Sequence, residues 1–150
     1  MKNRIVLKKA SAEDIPALVK IDAQAFNREY DNRFTAAEFK DIFAKDGETG
    51  FIVFDGQPVG YYSWVVTGPD SVEIMSLAVI PEYQKKGIGR TTFGMIMQRL
   101  EKVKDIKLVT HPRNIHALII YMKEGFIVTG FSKEHYGPGQ DRVVLEYRRR

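Results

Sequence analysis

The chain has 150 residues, 44% of them hydrophobic and 28% charged, with a net charge of +4 and no cysteine. That length and balance suit one soluble domain, residues 1–150, large enough to bury its own core. The lack of cysteine excludes disulfides, a thiolate nucleophile and any cysteine-held zinc or iron–sulfur site. The histidines His111, His116 and His135 have no metal-site spacing.

No apolar run is long enough to span a membrane, and Ile5-Val6-Leu7 is too short for the core of a signal peptide. A cytoplasmic protein without a membrane partner is expected. Part of the positive charge is the terminal Arg148-Arg149-Arg150. No recognition-helix or RNA-binding signature accompanies it, so nucleic acid is not the expected partner.

Ile5 to Leu7 predicts a short first strand. Ser11-x-x-Asp14 reads as a capping box, and Pro16 moves the start of the regular helix toward Asp14. Ile15, Leu18, Val19, Ala25 and Phe26 give that helix an apolar face. Asn27 to Phe34 reads as a loop. Thr35-x-x-Glu38 is a second capping box, and Phe39, Ile42 and Phe43 line the helix that follows it, until Gly47. Phe51–Phe54 and Val59–Val66 form a hairpin around Asp55-Gly56, a pair suited to positive φ. Thr67 to Asp70 then turns the chain into a strand ending at Val79, so strands two, three and four are antiparallel. Tyr61, Tyr62 and Trp64 read either as an aromatic wall on one face of strand three or, with the edge, as strand-forming core.

Pro81 stops the fourth strand. Gln84-Lys85-Lys86-Gly87-Ile88-Gly89-Arg90 follows, and Phe93, Ile96, Met97 and Leu100 recur at helical spacing from near Gly89. A strand, a glycine turn and a helix in that order set unpaired N–H groups and the positive end of a helix dipole where an anionic phosphate can sit. Glycine at 87 and 89 keeps side chains from between anion and backbone, or permits the turn, and Lys85, Lys86 and Arg90 add charge. The dinucleotide fingerprint fails, because Thr92 stands where its third glycine belongs. The P-loop fails because Arg90-Thr91 follows Gly89. On the loop alone, a phosphate cradle and a plain turn with a solvated basic patch are evenly matched.

Ile106 to Thr110 predicts a fifth strand. Asn114 then caps a helix with Ile115, Leu118, Ile119 and Met122 on its apolar side; Gly125 closes it and Phe126 tucks beneath. Strands 126–131 and 142–147, joined by a Gly/Pro-rich loop, finish the chain. The order β-α-α-β-β-β-α-β-α-β-β makes an α/β (α+β) fold, a mixed sheet of about seven strands with about four helices. The crossover through the third helix should be parallel and right-handed.

Asn114-x-x-Ala117-x-x-x-Tyr121-x-x-x-Gly125-Phe126, following Gln84-x-x-Gly87-x-Gly89 by about one helix and one strand, resembles the GNAT N-acetyltransferase superfamily. The element order agrees along essentially the whole chain. The resemblance implies transfer of an acetyl group from acetyl-CoA (acetyl-coenzyme A) to a primary amine, by direct attack in a ternary complex. Backbone N–H groups from Gln84 through Lys85, Lys86, Gly87, Ile88 and Gly89 to Arg90 would hold the pyrophosphate. Leu77, Ala78 and Val79 would pair with the pantetheine arm, with strands four and five splayed to admit the thioester. A backbone N–H of the same three residues would stabilise the oxyanion. Asn114 would contact the cofactor. Tyr121, two helical turns on and facing the same way, would protonate the leaving thiolate; its bland alternative is a core tyrosine.

An α-amine titrates at about 7.7–8.0 and a lysine amine at about 10.4, so the acceptor must lose a proton before it attacks. Glu73 matches the glutamate of the histone-acetylating branch, and strand parity puts it on the face of Met75, Leu77 and Val79. Otherwise it is a solvated strand residue. The usual base position of strand five holds Val109. His111, two residues later and before Pro112, reads as a loop residue. The acceptor groove would lie between Phe26, Tyr30 and Phe34 and the final loop. His135-Tyr136-Gly137-Pro138-Gly139-Gln140-Asp141 looks like the Tyr-x-x-Gly-Glu-Asp segment of the N-terminal α-amine (ribosomal-protein-alanine-type) acetyltransferases, whose tyrosine contacts the peptide. Gln140 replaces the acid, and His135 replaces a second tyrosine. A protein or peptide N-terminus is the acceptor this implies. A small amine of polyamine or aminoglycoside type competes with it, as does a non-catalytic CoA-binding sensor, which Val109 would suit. Similar proteins commonly form homodimers.

Overall fold

The computed structural model describes residues 4–26 and 34–149. β1 (Ile5–Lys9), β2 (Gly47–Phe54), β3 (Gln57–Gly68), β4 (Ser71–Val79), β5 (Asp105–Thr110), β6 (Ile127–Ser132) and β7 (Arg142–Arg148) form one mixed sheet in the order β1-β2-β3-β4-β5-β7-β6. Helices α1 (Ile15–Ala25) and α2 (Ala36–Phe43) cover one face. α3 (Ile88–Arg99) and α4 (Ile115–Lys123) cover the other.

Local chemistry sets the boundaries. Ser11 N–H donates to Asp14 Oδ2 at 2.9 Å over one 3₁₀ turn, and α1 starts behind it with Pro16 in its first turn. Thr35 and Glu38 cap α2 reciprocally: Glu38 N–H donates to Thr35 Oγ1 at 3.2 Å, and Thr35 N–H donates to Glu38 Oε1 at 3.0 Å. Asp55 (φ 49°) and Gly56 (φ 82°) make the tight turn between β2 and β3. Gly125 (φ 104°) ends α4, and Phe126, 2% exposed, packs beneath.

Several expectations change. β2 begins at Gly47 rather than Phe51, because its polar start pairs with β3 from Val65 onward. A 3₁₀ helix, Pro81–Lys86, lies between β4 and α3. Tyr61, Tyr62 and Trp64 are all buried, but not on one face. Tyr61 meets Phe39 of α2 at 5.4 Å, while Tyr62 stacks on Trp64 on the α3 side. The parity of β4 breaks at a bulge: Ser76 opposes Ser63, Ile74 opposes Trp64, and Met75 is extra. Val72, Ile74, Leu77 and Val79 therefore share the α3 face, and Met75 and Ala78 the α1 face. Glu73, between Val72 and Ile74, belongs with Met75 and not with Leu77 and Val79.

The stripe Ile115, Ile119 and Met122 on α4 is its outer side, 45–65% exposed, while Ile120 is the buried residue. That helix is apolar nearly all round, so periodicity does not distinguish its faces. Two of the terminal arginines serve the fold. Arg148 pairs with Asp105 at 2.9 Å, and Arg149 donates to Val103 O at 3.0 Å, Leu100 O at 3.3 Å and Met97 O at 3.4 Å, closing the end of α3.

Candidate functional site

The site begins where the sheet comes apart. β4 and β5 pair only from Ser71–Glu73 to Asp105–Lys107. Beyond that they diverge, while β4 stays bonded to β3 through Val79. One edge of β4 past Glu73 is left without its neighbouring strand. The backbone groups of Leu77, Ala78 and Val79 there border an open groove of about 830 Å³, ample for a large ligand.

At the groove's far end is the glycine loop. Gly87 (φ 76°) caps α3 in a left-handed conformation that a side chain strains, and the first bond back is from Thr91 N–H to Gly87 O at 3.1 Å. The N–H groups of Ile88, Gly89 and Arg90 precede it and have no intrahelical acceptor. A Cβ built on Gly87 or Gly89 meets nothing within 4 Å. Both glycines line the groove, and a side chain at either would have open space to fill. Lys85 and Arg90 line it too, whereas Lys86 lies over the Tyr83 ring at 5.9 Å and the Ile88 side chain is core. The Gln84 amide donates to Val79 O at 2.8 Å and Ala25 O at 3.3 Å, tying the end of α1 to the end of β4 beside the loop.

Across the groove stands α4. Asn114 Oδ1 accepts the Ala117 N–H at 3.2 Å as an N-cap, which leaves its amide N–H groups as what it offers the groove. Tyr121 borders both the groove and a smaller cavity of about 110 Å³ between the parted strands. Its ring rests on Phe93 at 4.9 Å, and burial pushes its phenol up to about 12. A phenol so placed keeps its proton at neutral pH and can donate it.

The smaller cavity opens toward α1 and α2. Phe26, Phe34, Met75, Ser76, Val109, His111, Tyr136 and Arg142 border it. Tyr30 lies outside the described residues. Val109 offers no proton acceptor. His111 follows the end of β5, as expected of a loop residue, and its Nδ1 accepts the Arg113 N–H at 3.0 Å. A neutral ring so held carries its proton on Nε2, where it can donate but not accept. Glu73 borders neither cavity: it lies beside Lys107, in the last register where the strands still pair.

Tyr136 is held by a loop folded around Arg142, itself 4% exposed. Arg142 stacks over the Tyr136 ring at 5.0 Å and donates to Gln140 Oε1 at 3.1 Å and Asp141 O at 2.8 Å. Burial raises the Tyr136 phenol, Arg142 lowers it, and the charges of Glu73 and Glu38 raise it. Sequence reasoning passed over Arg142, Ser76 and the buried Asp22, none of which belongs to a local motif.

Residues 15–126 match the acetyltransferase (GNAT) family. The uncharacterized N-acetyltransferase YvbK of Bacillus subtilis is 30% identical over 78% of this chain and 79% of its own. The putative [ribosomal protein bS18]-alanine N-acetyltransferase of the same organism is 27% identical over 97% and 96%. Among solved structures, Arabidopsis thaliana Naa50, in complex with the bisubstrate analogue CoA-Ac-MVNAL, superposes with a TM-score of 0.82. It shares 20% identity over 97% of this chain and 99% of that one.

Proposed function

Because the chain belongs to the acetyltransferase (GNAT) family, we propose that it acetylates the α-amine of a peptide or protein N-terminus, with acetyl-CoA as donor. Acetyl-CoA supplies a thioester whose carbonyl carbon is open to attack by an amine. The open space at Gly87 and Gly89 and the unsatisfied N–H groups behind it fit a pyrophosphate, with Lys85 and Arg90 beside it. The free edge at Leu77, Ala78 and Val79 fits an amide-bearing arm, and the Asn114 amide can donate to it from the opposite wall. Tyr121 holds a proton where the strands part, ready for the leaving sulfur.

The observation that carries the acceptor reading is Tyr136. The loop around Arg142 sets it against the small cavity that Phe26 and Phe34 also border. A space of about 110 Å³ suits an amine and its first carbons, not a polycyclic amine. The name of the bS18-alanine relative and the peptide analogue on Naa50 point the same way. A cytoplasmic location is part of this reading, since ribosomal-protein N-termini are made there.

The experiment is a panel of amines with acetyl-CoA, read by thiol release and product mass. Peptides with free N-termini should turn over. The same peptides with blocked N-termini and internal lysines, together with polyamines and aminoglycosides, should not. Turnover of small amines alone would overturn the peptide reading. CoA binding with no transfer to any amine would make the chain a sensor.

A further inference from the structure

Behind the acceptor cavity, hydroxyl groups lead to a buried carboxylate. Asp22, on α1, is 1% exposed. Its Oδ2 accepts the Phe34 N–H at 2.8 Å, and its Oδ1 accepts the Tyr61 hydroxyl at 2.6 Å. Tyr61 is wholly buried on β3. With its one proton given to Asp22, its oxygen has lone pairs with which to accept, and Ser76 lies one diagonal step away across the β3–β4 pair, where Tyr61 opposes Ala78 and Ser63 opposes Ser76. Ser76 borders the cavity where β4 leaves β5. A serine that donates inward turns its own lone pairs outward. With the Ser76 hydroxyl turned to Tyr61, protons would run one way, from the cavity toward Asp22, and the end shown to an entering amine would be an acceptor.

We infer that Ser76, Tyr61 and Asp22 are the path by which the entering ammonium loses its proton, replacing a base that β5 lacks at Val109. This rests on the acceptor amine entering the small cavity. The ammonium proton passes to Ser76 Oγ as the Ser76 proton passes to Tyr61 and the Tyr61 proton to Asp22 Oδ1. No bond to carbon changes, and Asp22 stays neutral until that proton returns to solvent. The nitrogen's second proton, shed as the amide forms, leaves with the sulfur on the Tyr121 side. Ser76 touches the substrate; Tyr61 and Asp22 act through it. Facing Tyr61 from the last loop is Tyr136, with Arg142 stacked on it, and the charges of Glu73 on β4 and Glu38 on α2 act on Tyr136. Burial first, then the Asp22 charge, push the Tyr61 phenol well above its ordinary range. A group so poised hands protons on without itself ionising.

The test compares wild type with Tyr61→Phe and Ser76→Ala, using acetyl-CoA and a peptide with a free N-terminus, from about pH 6.5 to about 9.5, which brackets the α-amine. Near neutrality Tyr61→Phe should lower kcat about 100-fold, the low end for general-base assistance. The deficit should shrink to a few-fold at the alkaline end, where the amine arrives already neutral. Acetyl-CoA affinity by calorimetry should not move. Ser76→Ala, which leaves the aromatic core alone, should give the same profile. Without any ligand, proton NMR should show a downfield Tyr61 hydroxyl resonance. It should be absent in Tyr61→Phe and moved upfield in Asp22→Asn, whose amide accepts but carries no charge. A deficit equal at every pH, or no deficit, in an active enzyme sinks this path alone. A wild type that acetylates no amine sinks the acceptor reading and the path together.

Discussion

The groove proposed for the donor and the cavity proposed for the acceptor are built from different material. The donor groove is backbone: a helix N-terminus, a left-handed glycine and a strand edge without its partner. Lys85 and Arg90 add charge beside it. The proposed acceptor side is side chains, Ser76 from β4 and Tyr136 from the last loop at the cavity, with Tyr61 from β3 bonded to Asp22 from α1 behind them. A backbone site tolerates many changes of side chain and few additions of a Cβ. A site made of side chains reverses that rule, so the acceptor can vary on a constant donor frame.

Tyr121 stands between the two, and no substitution on either side should cost more. Tyr121→Phe removes only a hydroxyl and keeps the ring on Phe93, so stability and acetyl-CoA affinity should hold. Loss of a positioned general acid should lower kcat about 100-fold. Since burial raises the phenol to about 12, the wild-type rate should show no falling limb from this group between about pH 6.5 and about 9.5. An unchanged kcat would make Tyr121 a packing residue.

The donor side breaks next. Gly87→Val with Gly89→Val should weaken acetyl-CoA binding about 30-fold in calorimetry, because position 87 needs positive φ and a side chain at either fills the cradle. Gly94→Ala, with equal open space but within α3, should leave affinity unchanged and add up to about 1 kcal/mol of stability. Equal affinities in all three proteins would end the backbone account. Arg149→Ala sharpens it from the other end of α3. Losing a charged donor from the Val103, Leu100 and Met97 carbonyls should cost about 1.5 kcal/mol in denaturant unfolding, with acetyl-CoA affinity intact.

The same contrast explains what could be read without coordinates. The donor loop lies in one stretch, and glycine, helix start and capping asparagine each act within a few residues of themselves. The capping boxes at Ser11 and Thr35 were legible for that reason. The Asp22–Tyr61 bond joins residues 39 apart, with no motif at either end. The faces of β4 depended on a bulge that exists only against β3, so alternation placed Leu77 and Val79 on the wrong side relative to Glu73. On α4, a helix apolar nearly all round, no pattern could say that Ile115 and Met122 would face outward. Tyr136 was found through family resemblance and not through spacing, because a long loop carries it to the cavity.

The smallest effect falls on Glu73, and it decides between two routes for the proton. Glu73 sits where β4 and β5 are still joined, beside Lys107 and outside both cavities. From there it reaches the site through its field on Tyr136, which it raises together with Glu38. A charge acting through space near the surface is screened and worth little. Glu73→Gln should therefore change kcat less than about threefold and leave the pH profile where it is, as a group outside hydrogen-bond reach of the amine must. If the variant instead loses most of its rate near neutrality and regains it as the amine deprotonates, Glu73 is the base. Ser76 would then only orient the nitrogen, and Tyr61 and Asp22 would be core that anchors Phe34.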